Sequence, residues 1–287
     1  MTPLWQQQPV GLVGLGLIGG SLGLDLQARG AQVRALVHRA ETAERARARR
    51  LAQEVSTDPA VLADCGLVVL ALPLDRLLQP DAALLAALPS QAVVTDVGSV
   101  KAPVLACWQP LLGGRFVAGH PMAGTAQAGV EAGQQGLFQD RPWVATPAAD
   151  TDPVALAAVQ HLAAAVGSRW LCCTADDHDR AVALISHLPV LVSAALLQTA
   201  DRCAPQPPLA ELVRALASSG FADTSRVGGG NPELGTLMAR CNRQAVLEGL
   251  AAYRQAITAL EQLVEQGQWP VLQQALSRCQ QLRPEFL

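Results

Sequence analysis

An apolar run, Val10-Gly11-Leu12-Val13, passes directly into Gly14-Leu15-Gly16-Leu17-Ile18-Gly19 and then into a helix-forming stretch through Leu26. A buried strand, a sharp glycine turn and a helix in immediate succession form the first half of a βαβ unit. In a turn of this spacing the first glycine permits the bend and the second lets backbone approach a pyrophosphate. The third lets helix pack on strand, and the helix N-terminus faces negative charge. Gly14, Gly16 and Gly19 take those three places, with Leu17 and Ile18 in the first helical turn. The pattern predicts a dinucleotide site.

The segments that follow repeat the alternation expected of a parallel α/β sheet. Strands are predicted at Gln32–Val37, Gly66–Leu72, Ala92–Val97, Arg115–Ala118, Pro142–Thr146 and Ser168–Cys172, with helices over Ala40–Leu51 and Pro153–Val166. After Thr174 only helical periods remain: Ala175–Ala200, Leu209–Ser218, one long helix from Pro232 to about Gln266, and Pro270–Gln281. The expected architecture is a Rossmann-type nucleotide-binding α/β domain over residues 1–174. An all-α domain over residues 175–287 follows it, of the kind that often dimerises.

Composition narrows the function classes. Half the residues are apolar and the net charge is −3, which gives no electrostatic footprint for nucleic acid. The seven cysteines form no CxxC pair, and no signal-peptide pattern opens the chain, so reduced thiols in a cytoplasmic protein are expected. The apolar run Ala181–Leu197 contains Ser186, His187 and Pro189, and is expected as a core helix rather than a membrane span. Of the 21 basic residues only Lys101 is a lysine, and the sequence assigns it no role.

The end of the second strand discriminates between cofactors. An acidic residue about 20 positions past the glycines would bind a ribose 2′-hydroxyl. His38 and Arg39 stand there instead, with Thr42 close by. A guanidinium can fork onto a 2′-phosphate that a carboxylate would repel, so NADP is expected. Arg39 is otherwise part of the basic face formed by Arg45, Arg47, Arg49 and Arg50.

Catalytic groups in an open α/β sheet lie beyond the carboxyl ends of its strands. Leu72-Pro73, Ser99 and His120 fall at such ends, and Ser99 is placed to hydrogen-bond His120. A neutral imidazole there accepts a proton from a substrate hydroxyl while hydride leaves the same carbon. A packed or surface histidine is the ordinary alternative, and no metal site is expected.

Several stretches carry a family resemblance across nearly the whole chain: Gly14–Ser21, Thr95–Lys101 (TDVGSVK), Gly119–Thr125 (GHPMAGT), Asp177–Arg180, Ser186–Pro189 and Ser218–Leu234. They resemble the TyrA family of prephenate and arogenate dehydrogenases, above all its cyanobacterial arogenate-type members. The resemblance implies oxidative decarboxylation of a cyclohexadienol to an aromatic ring by a homodimer. It makes His120 the acceptor of the ring-hydroxyl proton and Ser99 its orienting partner. Arg226 becomes the carboxylate anchor, and Thr125 and His178 belong to the substrate site.

Asp179 has two readings: partner of the ammonium that distinguishes arogenate from prephenate, or a carboxylate complementing the start of its own helix. Val190 stands where many prephenate-type relatives carry a second histidine, which favours arogenate. No regulatory domain is expected, so tyrosine feedback would act by competition at the active site. Prephenate oxidation remains the alternative activity. A non-catalytic NADPH-binding sensor is the alternative class, while a β-hydroxyacid dehydrogenase would require a lysine in the second domain that the chain lacks.

Overall fold

The structure is a computed structural model that describes residues 2–124 and 128–286. Eight strands form a single sheet: β1 (Val10–Val13), β2 (Val33–Leu36), β3 (Glu54–Ser56), β4 (Leu67–Leu70), β5 (Val93–Asp96), β6 (Phe116–Pro121), β7 (Pro142–Thr146) and β8 (Arg169–Cys172). Their order is β3-β2-β1-β4-β5-β6-β7-β8. The first six strands are parallel and wound in both directions from β1, so the strand order reverses between β1 and β4, where the crevice opens. β7 runs antiparallel to β6, a departure from the all-parallel expectation. The connection between them holds no crossover α-helix among the described residues, only a turn at Val130–Ala132, so the chain does not return to the sheet's starting end.

The continuous apolar strands follow from burial on both faces. Val10, Leu12, Leu67 and Val69 point into one core, capped by Leu22, Leu26, Ala46, Val159 and Leu162 from helices Leu17–Ala28, Ala40–Ala48 and Pro153–Ala165. Val13, Val68, Leu70 and Val94 alternate into the other core, against Val104, Trp108 and Leu112 of helix Ala102–Leu112. Trp108 buries its ring completely and spends its indole N–H on the Leu77 carbonyl at 2.7 Å.

Helical structure begins at Ala175 and runs through Cys203, with a π-turn over Ala183–His187. Pro189 explains that irregularity, because it offers no N–H to the carbonyl four residues back and its ring crowds that turn. The core reading of this segment is corrected. Its most apolar window has a mean hydropathy of 1.9, yet only 22% of it is buried, and Leu184 and Ile185 are exposed.

The long helix expected from Pro232 is also divided, into Pro232–Cys241 and Arg243–Glu265, at Asn242 with φ −119° and ψ 37°. An additional short helix, Ser219–Ser225, precedes Arg226.

Candidate active site

At the glycine turn, each glycine meets different surroundings. Gly14 has φ +95°, and a Cβ there would lie 2.4 Å from the Ala71 carbonyl oxygen. A Cβ on Gly19 would lie 2.1 Å from the Gly14 oxygen, whereas one on Gly16 would meet nothing within 4 Å. The first and third glycines are thus required by packing. The second leaves open space at the N-cap of helix Leu17–Ala28, where the N–H groups of the first turn have no intrahelical acceptor. That cradle fits a pyrophosphate, and the Leu72 side chain, just past the end of β4, lies beside Gly14, 3.5 Å from where a Cβ would be. Arg39 lies exposed beyond the end of β2, next to exposed His38 and half-buried Thr42. Three of its basic neighbours are engaged elsewhere, Arg45 and Arg49 with Glu131 and Arg47 with the Val55 carbonyl, whereas the Arg50 side chain has no partner among the described residues. The Arg39 side chain makes no hydrogen bond or ion pair among the described residues.

The carboxyl ends of β5 and β6 are joined by a buried charge pair. Lys101 and Asp96 are both fully buried, and the Lys101 ammonium donates to Asp96 Oδ2 and, at 2.6 Å, to the Gly119 carbonyl. Asp96 also accepts from Gly119 N at 3.0 Å and Gly98 N at 2.7 Å. Both peptide groups of Gly119 are therefore held, immediately before His120. Gly119 itself leaves no room for a side chain, since a Cβ would come within 2.9 Å of Thr95 Oγ1 and 3.1 Å of Trp143 Nε1.

His120 is 9% exposed, and its Nδ1 lies 2.9 Å from Nε2 of His178. His178 Nδ1 in turn lies 2.7 Å from Asp179 Oδ1. The carboxylate only accepts, so His178 carries its proton on Nδ1. With His178 uncharged its Nε2 accepts from His120 Nδ1–H, which leaves the lone pair of His120 on Nε2. Burial, reinforced by the Lys101 ammonium, holds the His120 imidazole well below its ordinary pKa, so it is neutral at neutral pH.

This arrangement revises two expectations. Among the described residues no hydrogen bond joins Ser99 to His120: Ser99 is half-buried on the turn after β5, and the ring's Nδ1 pairs with His178. Asp179, at 6% exposure, accepts from the backbone N–H of Lys101 at 2.7 Å and Ala102 at 2.9 Å, besides His178. It thus caps a different helix, Ala102–Leu112, from the one expected, and its oxygens are taken up by that helix start and the histidine rather than left for a substrate ammonium.

Besides Lys101, two residues escaped the sequence reading, Asn242 and His187. Asn242 donates to the Asp179 carbonyl at 2.7 Å and pairs with His187 Nδ1 at 3.2 Å. Burial lowers the His187 pKa to about 4, and its Nε2 has no partner among the described residues. The sequence signal was a buried polar residue interrupting an apolar helical period. Arg226, by contrast, is exposed, at the C-cap of helix Ser219–Ser225. Thr125 lies outside the described residues.

A neutral buried base beside a dinucleotide crevice suits the oxidation of a carbinol, the chemistry of nucleotide-dependent dehydrogenases. Comparison with known proteins agrees. Residues 22–172 match the family model for the prephenate dehydrogenase nucleotide-binding domain, and residues 174–278 the one for its dimerization domain. The chain is 41% identical to Synechocystis arogenate dehydrogenase, with a TM-score of 0.80, covering 97% of this chain and 100% of that one. Prephenate dehydrogenase from A. aeolicus, solved with hydroxyphenyl propionate and NAD+, superposes with a TM-score of 0.90 at 26% identity and 98% coverage of both chains. A cyclohexadienyl dehydrogenase of Zymomonas mobilis is 32% identical over 229 residues, 78% of each sequence. The chain belongs to the prephenate and arogenate dehydrogenase family. The dimerization-domain match includes the helical segment whose apolar side a single chain leaves open.

Proposed function

We propose that this chain is an NADP-dependent arogenate dehydrogenase, forming tyrosine by oxidative decarboxylation. The observation that carries the reading is the Asp179–His178–His120 series, which presents the lone pair of a neutral imidazole at the end of β6. His120 Nε2 accepts the ring-hydroxyl proton as the hydroxyl-bearing carbon is oxidised. The positive charge then formed on His120 is shared through Nδ1–H with His178 and steadied by the Asp179 carboxylate. Bound along Gly14, Gly16 and Gly19, with Ser99 toward its reactive end, the dinucleotide supplies the hydride acceptor. The ring carboxylate leaves as carbon dioxide, and aromatisation drives the reaction without a demand for metal.

Arg226 is the cation for a substrate carboxylate. Arg226→Ala is expected to raise the substrate KM by roughly 10- to 100-fold, the value of one charge-assisted contact, with the NADP Kd unchanged. An unaltered KM removes Arg226 from the site. Arg39 reads the 2′-phosphate, supported by its place at the end of β2 and by a side chain with no partner among the described residues, whereas Arg45, Arg47 and Arg49 are engaged. Arg39→Ala is expected to weaken NADP by about 10- to 100-fold while leaving NAD within about twofold. Equal losses with both cofactors would return Arg39 to the basic helix face.

Likeness to the Synechocystis enzyme and the presence of Val190 support arogenate. Prephenate is the second reading, favoured by the engagement of Asp179, which leaves a substrate ammonium to find another partner. Initial rates with arogenate and prephenate, each with NADP and NAD, decide both specificities. Turnover of arogenate with NADP alone supports the proposal, and preference for prephenate or NAD overturns the corresponding half. No turnover with any pair supports an NADPH sensor. The protein is placed in the cytoplasm as a homodimer, in keeping with its free cysteines and its dimerization domain.

A further inference from the structure

Ser193 sits on helix Leu188–Cys203, 3% exposed, where a mid-helix serine ordinarily turns its hydroxyl back to a carbonyl of its own helix. Thr224 and Ser225 do so within the helix before Arg226, bonding the Gly220 and Phe221 carbonyls. Ser193 reaches outward instead. Its Oγ donates to the Thr224 carbonyl at 2.7 Å and accepts from the Gly228 N–H at 3.0 Å. These contacts fall two residues before and two residues after Arg226. One buried hydroxyl thus bridges the base of the loop that carries the guanidinium.

Gly228 brings the two backbones together at the same point. A Cβ there would lie 2.2 Å from Ala194 N and 2.4 Å from the Ser193 carbonyl carbon, so only glycine lets the loop rest on the helix. The helix concerned continues from the segment that bears His178 and Asp179. The anchor loop and the histidine relay therefore share one rigid support.

We propose that Ser193 is a positioning residue that fixes Arg226 relative to His120, and so sets the affinity for the substrate carboxylate. The inference rests on the reading of Arg226 as the carboxylate anchor. A hydroxyl with one donor and two acceptor positions can hold a carbonyl and an N–H at once, which alanine cannot. The loop in the alanine variant would remain attached but free to swing. An arginine that must be ordered on binding costs affinity rather than chemistry.

The test is a double-mutant cycle on the full-length chain, measuring KM, kcat, NADP Kd and Tm. Ser193→Ala is expected to raise the substrate KM roughly three- to tenfold, the cost of ordering one rotamer-rich side chain on binding. kcat and the NADP Kd should stay within about twofold. Gly228→Ala, which separates the backbones while leaving the hydroxyl in place, is expected to raise KM in the same way, and Ser193→Thr to restore most of the loss. In an Arg226→Ala background, Ser193→Ala should change KM no further. An equal KM rise in both backgrounds makes Ser193 merely structural and overturns the proposal. So does an unchanged KM in Ser193→Ala when Arg226→Ala raises it. If Arg226→Ala alone leaves KM unchanged, the anchor reading itself has failed, and the proposal falls with it.

Discussion

Replacing His120 by asparagine is expected to lower kcat by on the order of 10²- to 10⁴-fold, the range attributable to one positioned general base. Asparagine retains a polar group near His178 but has no basic nitrogen to take the ring-hydroxyl proton. The glycine turn and Arg39 are untouched, so NADP should bind with its Kd changed by less than about twofold. The wild-type pH profile offers an independent check. A base must be unprotonated to act, and burial with neighbouring positive charge holds His120 well below its ordinary value. Activity should therefore persist as the pH falls through 6.5, with the acidic limb of kcat/KM lying below that point. Turnover that survives in His120→Asn would remove the base assignment and leave the relay without a catalytic purpose.

How far this site was readable in advance depended on the range of the interactions. The glycine turn was legible because strand, bend and helix are contiguous and each glycine answers a local steric demand. The two-sided core was legible because β1 and β4 are continuous apolar runs. Short or irregular elements were not: β3 spans only Glu54–Ser56 at the sheet edge, and the break at Asn242 depends on what its side chain reaches on the segment Ala175–His187.

The catalytic neighbourhood divided in the same way. Strand-end geometry pointed to His120, but its partner His178 stands 58 residues away, brought close by helix packing. Sequence proximity suggested Asp179 for its own helix, whereas the fold gives it to the first N–H groups of Ala102–Leu112, 77 and 78 residues away. A carboxylate's acceptors can be counted from sequence, but not the donors the fold will bring to it. Lys101 was missed for a related reason: a single lysine has no periodicity, and its function is apparent only from complete burial against Asp96.

That pair yields the largest expected effect on stability. Lys101→Met keeps the length of the side chain and removes its charge, leaving Asp96 buried without its ammonium partner. Breaking one side of a buried ion pair costs about 3–5 kcal/mol, because the remaining charge is desolvated and uncompensated. For a chain of this size that corresponds to a fall in Tm of roughly 6–20 °C, measurable by thermal unfolding. Activity should fall as well at temperatures where the fold persists, since the Gly119 carbonyl loses the donor that steadies the peptide before His120. Combining Lys101→Met with Asp96→Asn should cost less than the sum of the single changes, as the second substitution removes the stranded charge. A Lys101→Met variant melting within about 2 °C of the parent would show that the carboxylate is satisfied by the Gly98 and Gly119 N–H groups alone. The ends of β5 and β6 would then be tied by backbone contacts to Asp96, with the ammonium contributing little to placing the base.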